Sequence, residues 1–385
     1  MFFSVDAHAI GCQLTGNEVY IRNLLHSFAA LDQFSEFVAY LAVDDASTWV
    51  PERFGKRSIA RNPFVRLGFD LSRRLRIDRP DLLHVQYTAP LACPVPVVVS
   101  VHDVSFIENP EFFPLARAAQ LRWTVARTVR TAAAILTASE FSRAAIAKTF
   151  QLDPDRITVA PNAASPCFRP ISRPAAADWA RSRYGLEAPF ILTVGDLQPR
   201  KNQIGLVRAF ADMVRAHPEL RHHLVLAGKD TWHGSQVRKA AAASGVADRI
   251  HFTGFVTDED LLQLYNACEL FVFPSFYEGF GLPVLEAMAC GRAVACSNLS
   301  ALPEVADAAG ILFNPHSTDE IARAMLDLIV DSELRGRVER LGLQRATHFS
   351  WQEAARRTLE VYYEVADRRR SAVSEKHSAA SSTRR

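Results

Sequence analysis

The sequence predicts two α/β domains of the doubly wound type, each built on a parallel sheet that helices cover on both faces. Short apolar or β-branched runs alternate with longer amphipathic stretches along the whole chain, a pattern typical of parallel strands joined by helices. The chain has 385 residues, of which 49% are hydrophobic, and this is more than a single core normally uses. We therefore expect two domains that face each other across a cleft.

The strand candidates are divided evenly between the two halves. They are residues 2–5, 37–42, 82–85, 97–101, 134–137 and 157–159, followed by 190–194, 223–227, 250–252, 270–273, 293–296 and 310–313. In open parallel sheets ligands bind outside the carboxyl ends of the strands. The loops that follow these runs are therefore the places to search for functional residues.

Three prolines mark the boundary between the halves. Pro166, Pro170 and Pro174 disfavour a helix and suit an extended linker. Near the C-terminus the composition turns to Arg, Ser, Ala and Thr without apolar periodicity, which predicts disorder. The predicted parts are an N-terminal domain (1–165), a linker (166–174), a C-terminal domain (175–349), a helix that crosses back to the N-terminal domain (350–367) and a disordered tail (368–385).

Composition excludes several classes of protein. Lys and Arg number 44 against 42 acids, so no global charge excess favours a nucleic-acid partner. The six cysteines are scattered without metal-binding spacing, as in a reducing compartment. The N-terminus lacks the pattern of a signal peptide, and no apolar run approaches the roughly 20 residues of a membrane span. We expect a cytoplasmic protein.

The most informative stretch covers residues 271–297 and reads FVFPSFYEGFGLPVLEAMACGRAVACS. A buried strand is predicted to end at Phe273, and a helix to begin at Pro283 and stop at Gly291. Glu286 is the one charged residue of that helix, so it needs hydrogen-bond donors or must become neutral. The hydroxyl groups of a ribose would satisfy it. The alternative is that Glu286 pairs with a buried arginine.

The loop before this helix adds a second carboxylate. Glu278 can face the same ligand from the edge of the strand, while Gly279 and Gly281 let the backbone approach closely. Free N–H groups at the start of the helix can bind phosphate or sugar oxygens. The alternative is that these glycines merely make a turn.

A second cluster, GDLQPRKN at residues 195–202, follows the first strand of the C-terminal half. Arg200 and Lys201 open a predicted helix, where cations oppose the helix macrodipole. Their placement therefore favours a bound anion such as a diphosphate, although a solvated basic cap is the alternative.

Together, the GDLQPRKN and EGFGLPVLE segments resemble the retaining glycosyltransferases of family four, group 1 type. These enzymes have the GT-B fold, with two Rossmann-like domains, and the likeness covers nearly the whole chain. The resemblance implies transfer of a hexose from a nucleotide diphosphate sugar to a glycan or lipid-linked acceptor in polysaccharide biosynthesis, with no metal or other cofactor. The Pro-Arg-Lys-Asn version of the loop resembles mannosyltransferases that use a guanosine diphosphate donor.

The same resemblance implies roles for individual residues. Arg200 and Lys201 would hold the diphosphate, Glu286 the ribose, and Glu278 would contact the transferred sugar near the reacting carbon. Backbone and side-chain contacts to the donor are implied for Gly195, Val256, Phe280, Gly281 and Leu282, with Asp230 as a weaker candidate. Asp196 stands where relatives often have an arginine, so Arg200 would supply the missing cation.

The N-terminal half contributes further candidates. His102 and Asp103 follow the strand at 97–101, and the resemblance places His102 between donor and acceptor, although such a histidine is often structural. Thr15 and Glu18 form a capping-box pattern at the start of an amphipathic helix. The resemblance places Gly16 beside the donor phosphate or the acceptor, and a simple helix cap explains it equally well.

Acidic pairs and basic segments allow two further interpretations. The pairs Asp153/Asp155 and Asp258/Asp260 are predicted to lie in a turn and in a first helical turn, so we expect no metal site. Cations crowd residues 53–79 and recur on a helix at Arg117, Arg122, Arg127 and Arg130. These segments could dock on an anionic membrane leaflet to reach a lipid-linked acceptor, or form a solvated face.

Two other functions compete with glycosyl transfer. A nucleotide-sugar epimerase on the same fold would use the same donor site. A dinucleotide-dependent oxidoreductase would need a G-x-G-x-x-G turn after a strand, and no predicted strand is followed by one.

Overall fold

The computed structural model of the protein describes residues 1–12, 15–187 and 189–382, with side chains as far as residue 371. It divides into two compact units. The first unit is formed by Met1–Asn162 together with Ser350–Arg385, and the second by Ala163–Phe349.

The strands of both units are parallel and short. Those of the first unit are β1 (Phe2–Asp6), β2 (Glu36–Leu41), β3 (Gly55–Ser58), β4 (Leu82–Gln86), β5 (Val97–Ser100), β6 (Ala134–Thr137) and β7 (Ile157–Val159). Those of the second unit are β8 (Phe190–Val194), β9 (His223–Ala227), β10 (Ile250–Gly254), β11 (Leu270–Phe273), β12 (Ala293–Ser297) and β13 (Ile311–Phe313).

Helices connect these strands. In chain order they are α1 (Thr15–Leu31), α2 (Pro63–Val65), α3 (Leu71–Asp78), α4 (Ser105–Glu108), α5 (Leu115–Thr131), α6 (Glu140–Phe150), α7 (Arg173–Tyr184), α8 (Gln203–Ala216), α9 (Gly234–Ala242), α10 (Asp258–Ala267), α11 (Leu282–Ala289), α12 (Leu302–Ala306), α13 (Thr318–Val330), α14 (Ser332–Ala346) and α15 (Trp351–Ser382). A π-helical turn, Arg66–Asp70, joins α2 to α3.

The first sheet has the strand order β3-β2-β1-β4-β5-β6-β7, and the second has the order β10-β9-β8-β11-β12-β13. All residues of β4, β5, β11 and β12 are buried, as expected for parallel strands with helices on both faces. Each unit has its own apolar core, so each sheet presents the carboxyl ends of its strands on a rigid base.

Strand β3 is absent from the sequence-based prediction. Its four residues, Gly55–Ser58, include two cations and no large apolar side chain, and they pair only with β2 at the edge of the sheet. Edge strands with charged side chains carry little apolar signal because they contribute little to the core.

The predicted linker and tail also differ from the structure. Helix α7 begins at Arg173, so the end of the predicted linker is already helical, with Pro174 in the first turn, where its missing N–H costs nothing. Helix α15 continues beyond Arg368 to Ser382, where the sequence predicts disorder. The segment contains Arg, Glu, Lys and Ala, which propagate a helix that has already formed.

Helix α15 packs into the first unit. Tyr362 is fully buried, lies edge-on to Phe3 with ring centroids 5.1 Å apart, and hydrogen bonds His84 at 2.6 Å. Tyr363 donates to Asp32 at 2.6 Å beside it. These contacts complete the core around β1 and β4.

Candidate active site

The strand order of the second sheet reverses between β8 and β11. The chain runs outward from β8 through β9 to β10 and then returns to the other side of β8 as β11. In open α/β sheets ligands bind at such a switch point, outside the carboxyl ends of the strands. The loops after β8 and β11 therefore bring residues 195–202 and 274–281 to one place on the sheet edge.

Arg200, Lys201 and Glu278 form an ionic cluster at this edge. Lys201 Nζ donates to Glu278 Oε1 at 2.6 Å, and Arg200 Nη1 donates to Glu278 Oε2 at 2.9 Å. The Glu278 side chain is 8% exposed and that of Lys201 is 11% exposed. Two cations against one carboxylate leave a net positive charge at a site that is largely shielded from water, which is the arrangement expected for binding an anion.

The cluster perturbs the pKa values of its members. Burial alone would raise the pKa of Glu278, but Arg200 and Lys201 outweigh burial and hold it at about 2. Burial lowers the pKa of Lys201, and Glu278 partly offsets that effect. Glu278 is therefore ionised at neutral pH, and the pair is sensitive to any charge that binds beside it.

Two glycines let the loop after β8 adopt this shape. Gly195 has a φ of +152°, and a Cβ atom there would lie 3.3 Å from Lys201 Cε. Gly228, after β9, has a φ of +157°, and its Cβ would lie 2.1 Å from the carbonyl oxygen of Gly195. The backbones of the two loops thus touch where a side chain cannot fit.

Hydrogen bonds hold the loops after β8 and β11 in register. The N–H of Phe276 donates to the carbonyl of Arg200 at 2.8 Å, and Arg200 Nη1 donates to the carbonyl of Tyr277 at 3.1 Å. The N–H of Glu278 donates to Ser300 Oγ at 2.9 Å. The ionic cluster is therefore built on backbone that is fixed before any ligand arrives.

Glu286 lies on α11 and is hydrogen-bonded within the second unit. Tyr265 donates its hydroxyl to Glu286 Oε2 at 2.9 Å. Burial raises the pKa of Glu286 to about 7, although the bond from Tyr265 lowers it. The partner is thus a tyrosine, and the predicted alternative of a buried arginine is not the arrangement that the described structure has.

Gly281, directly before α11, has a backbone conformation and a packing contact that only a glycine allows. Gly281 has a φ of +110°, and a Cβ there would lie 2.6 Å from Leu302 Cδ2. The helix begins at Leu282, one residue before the predicted start at Pro283. Phe280 is buried edge-on to Phe349, with ring centroids 5.7 Å apart.

The remaining donor candidates of the second unit follow β9 and β10. Val256 is buried, whereas its neighbour Phe255 is 46% exposed. Asp230, the weaker candidate, is paired with Arg238 at 2.6 Å. Asp230 therefore already has a cationic partner.

His102 lies at the carboxyl end of β5 in the first unit. Its Nε2 is 2.9 Å from Gln86 Oε1, and its ring lies edge-on to Tyr20 with centroids 4.7 Å apart. Burial lowers the pKa of His102 to about 4, so the ring is neutral at physiological pH. Because an amide oxygen only accepts, Nε2 carries the proton.

Asp103 and Gly16 have simpler surroundings. Asp103 Oδ1 accepts from the N–H and the hydroxyl of Ser105, at 2.9 and 2.6 Å, and so holds the turn before α4.

Gly16 lies in the first turn of α1, with no atom within 4 Å of the place where a Cβ would sit. Glu18 accepts from the N–H of Gly11 at 2.9 Å, so its carboxylate holds the preceding loop, whereas a capping box would direct it to Thr15.

Comparison with known proteins now identifies the family. The family model described as "Glycosyl transferases group 1" matches residues 180–345, and "Glycosyltransferase Family 4" matches residues 15–166. The O-antigen chain mannosyltransferase B of Escherichia coli is 36% identical over 266 residues, which cover 69% of this chain and 69% of that protein. The chain belongs to the group 1, family 4 glycosyltransferases.

Other relatives agree with this assignment. The serotype-specific mannosyltransferase WbdA of Escherichia coli is 38% identical over 182 residues, which cover 47% of this chain and 22% of WbdA. The family and the enzyme class predicted from the two sequence segments are thus confirmed: the glycosyltransferase is a retaining hexosyltransferase that uses a nucleotide-sugar donor and a glycan acceptor.

Solved structures confirm the GT-B fold of this glycosyltransferase. Sucrose-phosphate synthase from Thermosynechococcus elongatus matches with a TM-score of 0.77 at 19% identity, over 94% of this chain and 98% of that chain. HepE from Anabaena, in complex with UDP and glucose, matches with a TM-score of 0.75 at 20% identity, over 94% of this chain and 99% of that chain.

Three of the four charged residues predicted to converge lie together in the glycosyltransferase: Arg200, Lys201 and Glu278. The fourth, Glu286, hydrogen bonds Tyr265. Tyr265 and Gly228 are structural contributors that the sequence analysis missed. A glycine directly after β9 is a usable signal, whereas nothing local marks Tyr265 as the partner of a residue on another helix.

The acidic pairs lie where the sequence predicts them. Asp153 caps a 3₁₀ turn by accepting from the N–H of Asp155 at 3.0 Å, and Asp258 and Asp260 lie in the first turn of α10. Within the described part of the glycosyltransferase, no helix is long and apolar enough to cross a membrane.

Proposed function

We propose that this glycosyltransferase transfers mannose from a nucleoside diphosphate donor and that the ionic cluster of Arg200, Lys201 and Glu278 is the centre of its donor site. The observation that carries the proposal is the position of this net positive cluster, largely shielded from water, at the switch point of the second sheet. The names of two relatives, both mannosyltransferases, favour mannose as the sugar.

Different residues in and around the cluster bind different parts of the donor. Arg200 and Lys201 bind the diphosphate, and Glu278 contacts the sugar near the reacting carbon. Glu286 accepts hydrogen bonds from the ribose, and Val256 contacts the base. The backbone at Gly195, Phe280, Gly281 and Leu282 completes the site, since the start of α11 offers free N–H groups to oxygen atoms of the donor.

Transfer breaks the bond between the anomeric carbon and the diphosphate oxygen and forms a bond from that carbon to the acceptor oxygen on the same face. Arg200 and Lys201 stabilise the negative charge that develops on the departing diphosphate, which is an electrostatic role. The acceptor proton passes to the leaving oxygen. Glu278, held ionised by its two cationic neighbours, stabilises positive charge at the anomeric carbon without a covalent intermediate.

His102 and Asp103 belong to the acceptor side in this proposal. The Nε2–H of His102 is held by Gln86, so the ring is neutral and has a fixed orientation. Gly16 lies at the start of α1, where the absence of a side chain leaves room for a phosphate or an acceptor group.

A donor screen tests the proposal directly. Purified protein is incubated with GDP-mannose, UDP-glucose and ADP-glucose, and release of the nucleoside diphosphate is measured with and without glycan acceptors. We expect turnover of GDP-mannose, with retention at the anomeric carbon by NMR, and at least a roughly 100-fold loss in Glu278→Gln. Full activity of that variant would remove Glu278 from the site.

An epimerase would use the same donor cluster, so the acceptor separates the two functions. An epimerase converts the nucleotide sugar without an acceptor, whereas a transferase consumes an acceptor in proportion to the nucleoside diphosphate released. Family membership favours transfer.

We also propose that the first unit contacts an anionic membrane surface at the cytoplasmic face, where a lipid-linked acceptor would lie. Three apolar side chains, Phe64, Phe69 and Leu91, are 77%, 64% and 57% exposed. The N–H of Leu91 donates to the carbonyl of Leu67 at 2.9 Å, so the two segments that carry them are joined. Arginines are frequent in the segment that carries the two phenylalanines, in keeping with binding to anionic lipid.

Co-sedimentation with vesicles tests this contact. We expect the protein to bind vesicles that contain phosphatidylglycerol, and the double variant Phe64→Ser/Phe69→Ser to bind several-fold more weakly. Phe34 is 96% exposed outside this surface, so Phe34→Ser is the matched control. Equal binding by all three proteins would refute the contact.

A further inference from the structure

The first sheet has its own switch point, between β1 and β4. The chain runs from β1 through β2 to β3 and returns to the other side of β1 as β4. His8 follows β1, and Tyr87 follows β4 with a φ of +62°. A bulky residue in the left-handed region is strained, and such strain concentrates at functional sites.

Asp6 fixes the orientation of the His8 ring. Its Oδ1 lies 2.9 Å from His8 Nδ1 and 3.2 Å from the His8 N–H. The Asp6 side chain is 1% exposed, whereas that of His8 is 19% exposed. Because an ionised carboxylate has no proton to give, Nδ1 must be the donor. With Nδ1 donating to Asp6, Nε2 is the ring nitrogen left to contact a ligand, on a ring that reaches solvent.

Arg66 supports the ionised state of Asp6. Its Nε is 3.9 Å from Asp6 Oδ2, and its side chain is 9% exposed. Burial alone would raise the pKa of Asp6, but His8 and Arg66 together hold it below its usual value. Arg66 lies in the π-helical turn before α3, and such turns are frequent at functional sites.

We propose that His8 positions the acceptor: its Nε2 accepts a hydrogen bond from a hydroxyl group of the acceptor sugar. Asp6 and Arg66 are positioning residues that act through His8. The proposal rests on the proposed glycosyl transfer and names the group that recognises the acceptor. This hydroxyl is not the attacking one. The attacking hydroxyl of the same sugar keeps its own proton, which passes to the leaving diphosphate oxygen, so His8 positions the acceptor without taking part in proton transfer.

Histidine-selective NMR of the full chain tests the proposal without knowledge of the natural acceptor. The ¹⁵N shifts of His8 should show the Nδ1–H tautomer, and Asp6→Asn should convert it to a mixture of tautomers. Titration with the methyl glycosides of mannose, glucose and galactose should shift the His8 signals saturably for at least one sugar. The His8→Ala variant should bind that sugar roughly 3- to 10-fold more weakly, the loss expected for one hydrogen bond.

Two controls make the result decisive. His26 is exposed on α1, so His26→Ala should leave sugar binding unchanged. The Lys201→Ala variant should bind nucleoside diphosphate at least about tenfold more weakly and keep the His8 shift, so a failed donor site and a failed acceptor site give different results. Absence of any His8 shift, or equal sugar binding by His8→Ala and the wild type, would overturn the proposal.

Discussion

The two switch points of this glycosyltransferase share a topology and differ in chemistry. In the second unit, the loops after β8 and β11 bring Arg200, Lys201 and Glu278 into a buried ionic cluster. In the first unit, the switch point between β1 and β4 carries the Asp6–His8 pair with Arg66 beside it, and the neighbouring ends of β4 and β5 join Gln86 to His102 by a hydrogen bond of 2.9 Å. The edge of the second sheet presents charged side chains, whereas at the edge of the first sheet the charged groups of Asp6 and Arg66 are buried and the more exposed side chain is that of His8.

The difference matches two kinds of ligand. The negative charge on the diphosphate increases as the bond to the sugar breaks. Fixed cations therefore stabilise the transition state more than the bound donor. A sugar hydroxyl is neutral and both donates and accepts, so oriented neutral groups suit it better than charges that must be desolvated. In the proposed function, the same α/β framework would bind donor and acceptor through the side chains at its strand ends.

The largest effect should come from removing a cation of the second unit. The Lys201→Ala variant should lower kcat by about 10²–10³-fold, the loss typical when one group that stabilises developing charge is deleted. Lys239 is exposed on α9, so Lys239→Ala is the matched control and should keep full activity. Steady-state kinetics with the donor measures both. Similar kcat values for the two variants would refute a catalytic role for Lys201.

The histidines of the first unit should make it sensitive to acid. Burial lowers the pKa of His102 to about 4 and that of His84 to about 3, so each folded ring takes up its proton at a lower pH than the unfolded one. Their contribution to stability is complete above pH ~6.5 and is lost as pH falls, by about 3 kcal/mol for His102 at pH ~4.

Hydrogen exchange of the amides of β5, measured at several pH values, reports the local stability around His102. The local stability of β5 should depend less on pH between about 6.5 and 4 in the His102→Gln variant than in the wild type. The same pH dependence in both proteins would show that His102 is not held neutral by burial.

Glu286 should give the second unit the opposite pH dependence. Burial raises its pKa to about 7, so the folded protein holds this proton more tightly than the unfolded chain. Its contribution to stability is full below pH ~4.5 and falls by roughly 2 to 3 kcal/mol between pH ~5 and ~8. Glu286→Gln should remove that loss, as measured by hydrogen exchange in α11. An unchanged pH dependence in the variant would contradict the raised pKa.

Substitution of Gly16 should have the smallest effect on the stability of the folded protein. No atom lies within 4 Å of the position that a Cβ would take, so Gly16→Ala should fold normally and gain up to about 1 kcal/mol of helix stability. If Gly16 contacts the phosphate or the acceptor, the same variant should lose activity several-fold while its thermal midpoint stays equal or rises. Unchanged activity would make Gly16 a simple helix residue.

The sequence predicts the fold well because most of the strands are buried. Apolar runs such as 270–273 and 97–101 mark strands that the helices cover on both faces, and both appear in the structure. Edge strand β3 carries no such signal. Helix α15 extends to Ser382, and a polar segment without apolar periodicity can continue a helix that packing has already nucleated upstream; the disorder predicted from Arg368 onward stays a prediction.

Individual contacts of the site are less predictable. Two cations at the start of a helix, Arg200 and Lys201, indicate a bound anion. Two members of the ionic cluster can therefore be predicted from the local sequence. By contrast, the bond from Tyr265 to Glu286 joins two helices, and the bond from the Gly11 N–H to Glu18 replaces a capping box. Such partners depend on tertiary packing that no local pattern contains.

The most direct test of the donor site is the affinity of the protein for a nucleoside diphosphate, measured by calorimetry in the wild type, Lys201→Ala and Lys239→Ala. We expect saturable binding of GDP or UDP, an unchanged Kd in Lys239→Ala, and a Kd raised by at least about tenfold in Lys201→Ala. An equal Kd in all three proteins would place the diphosphate away from the ionic cluster and refute the proposed donor site.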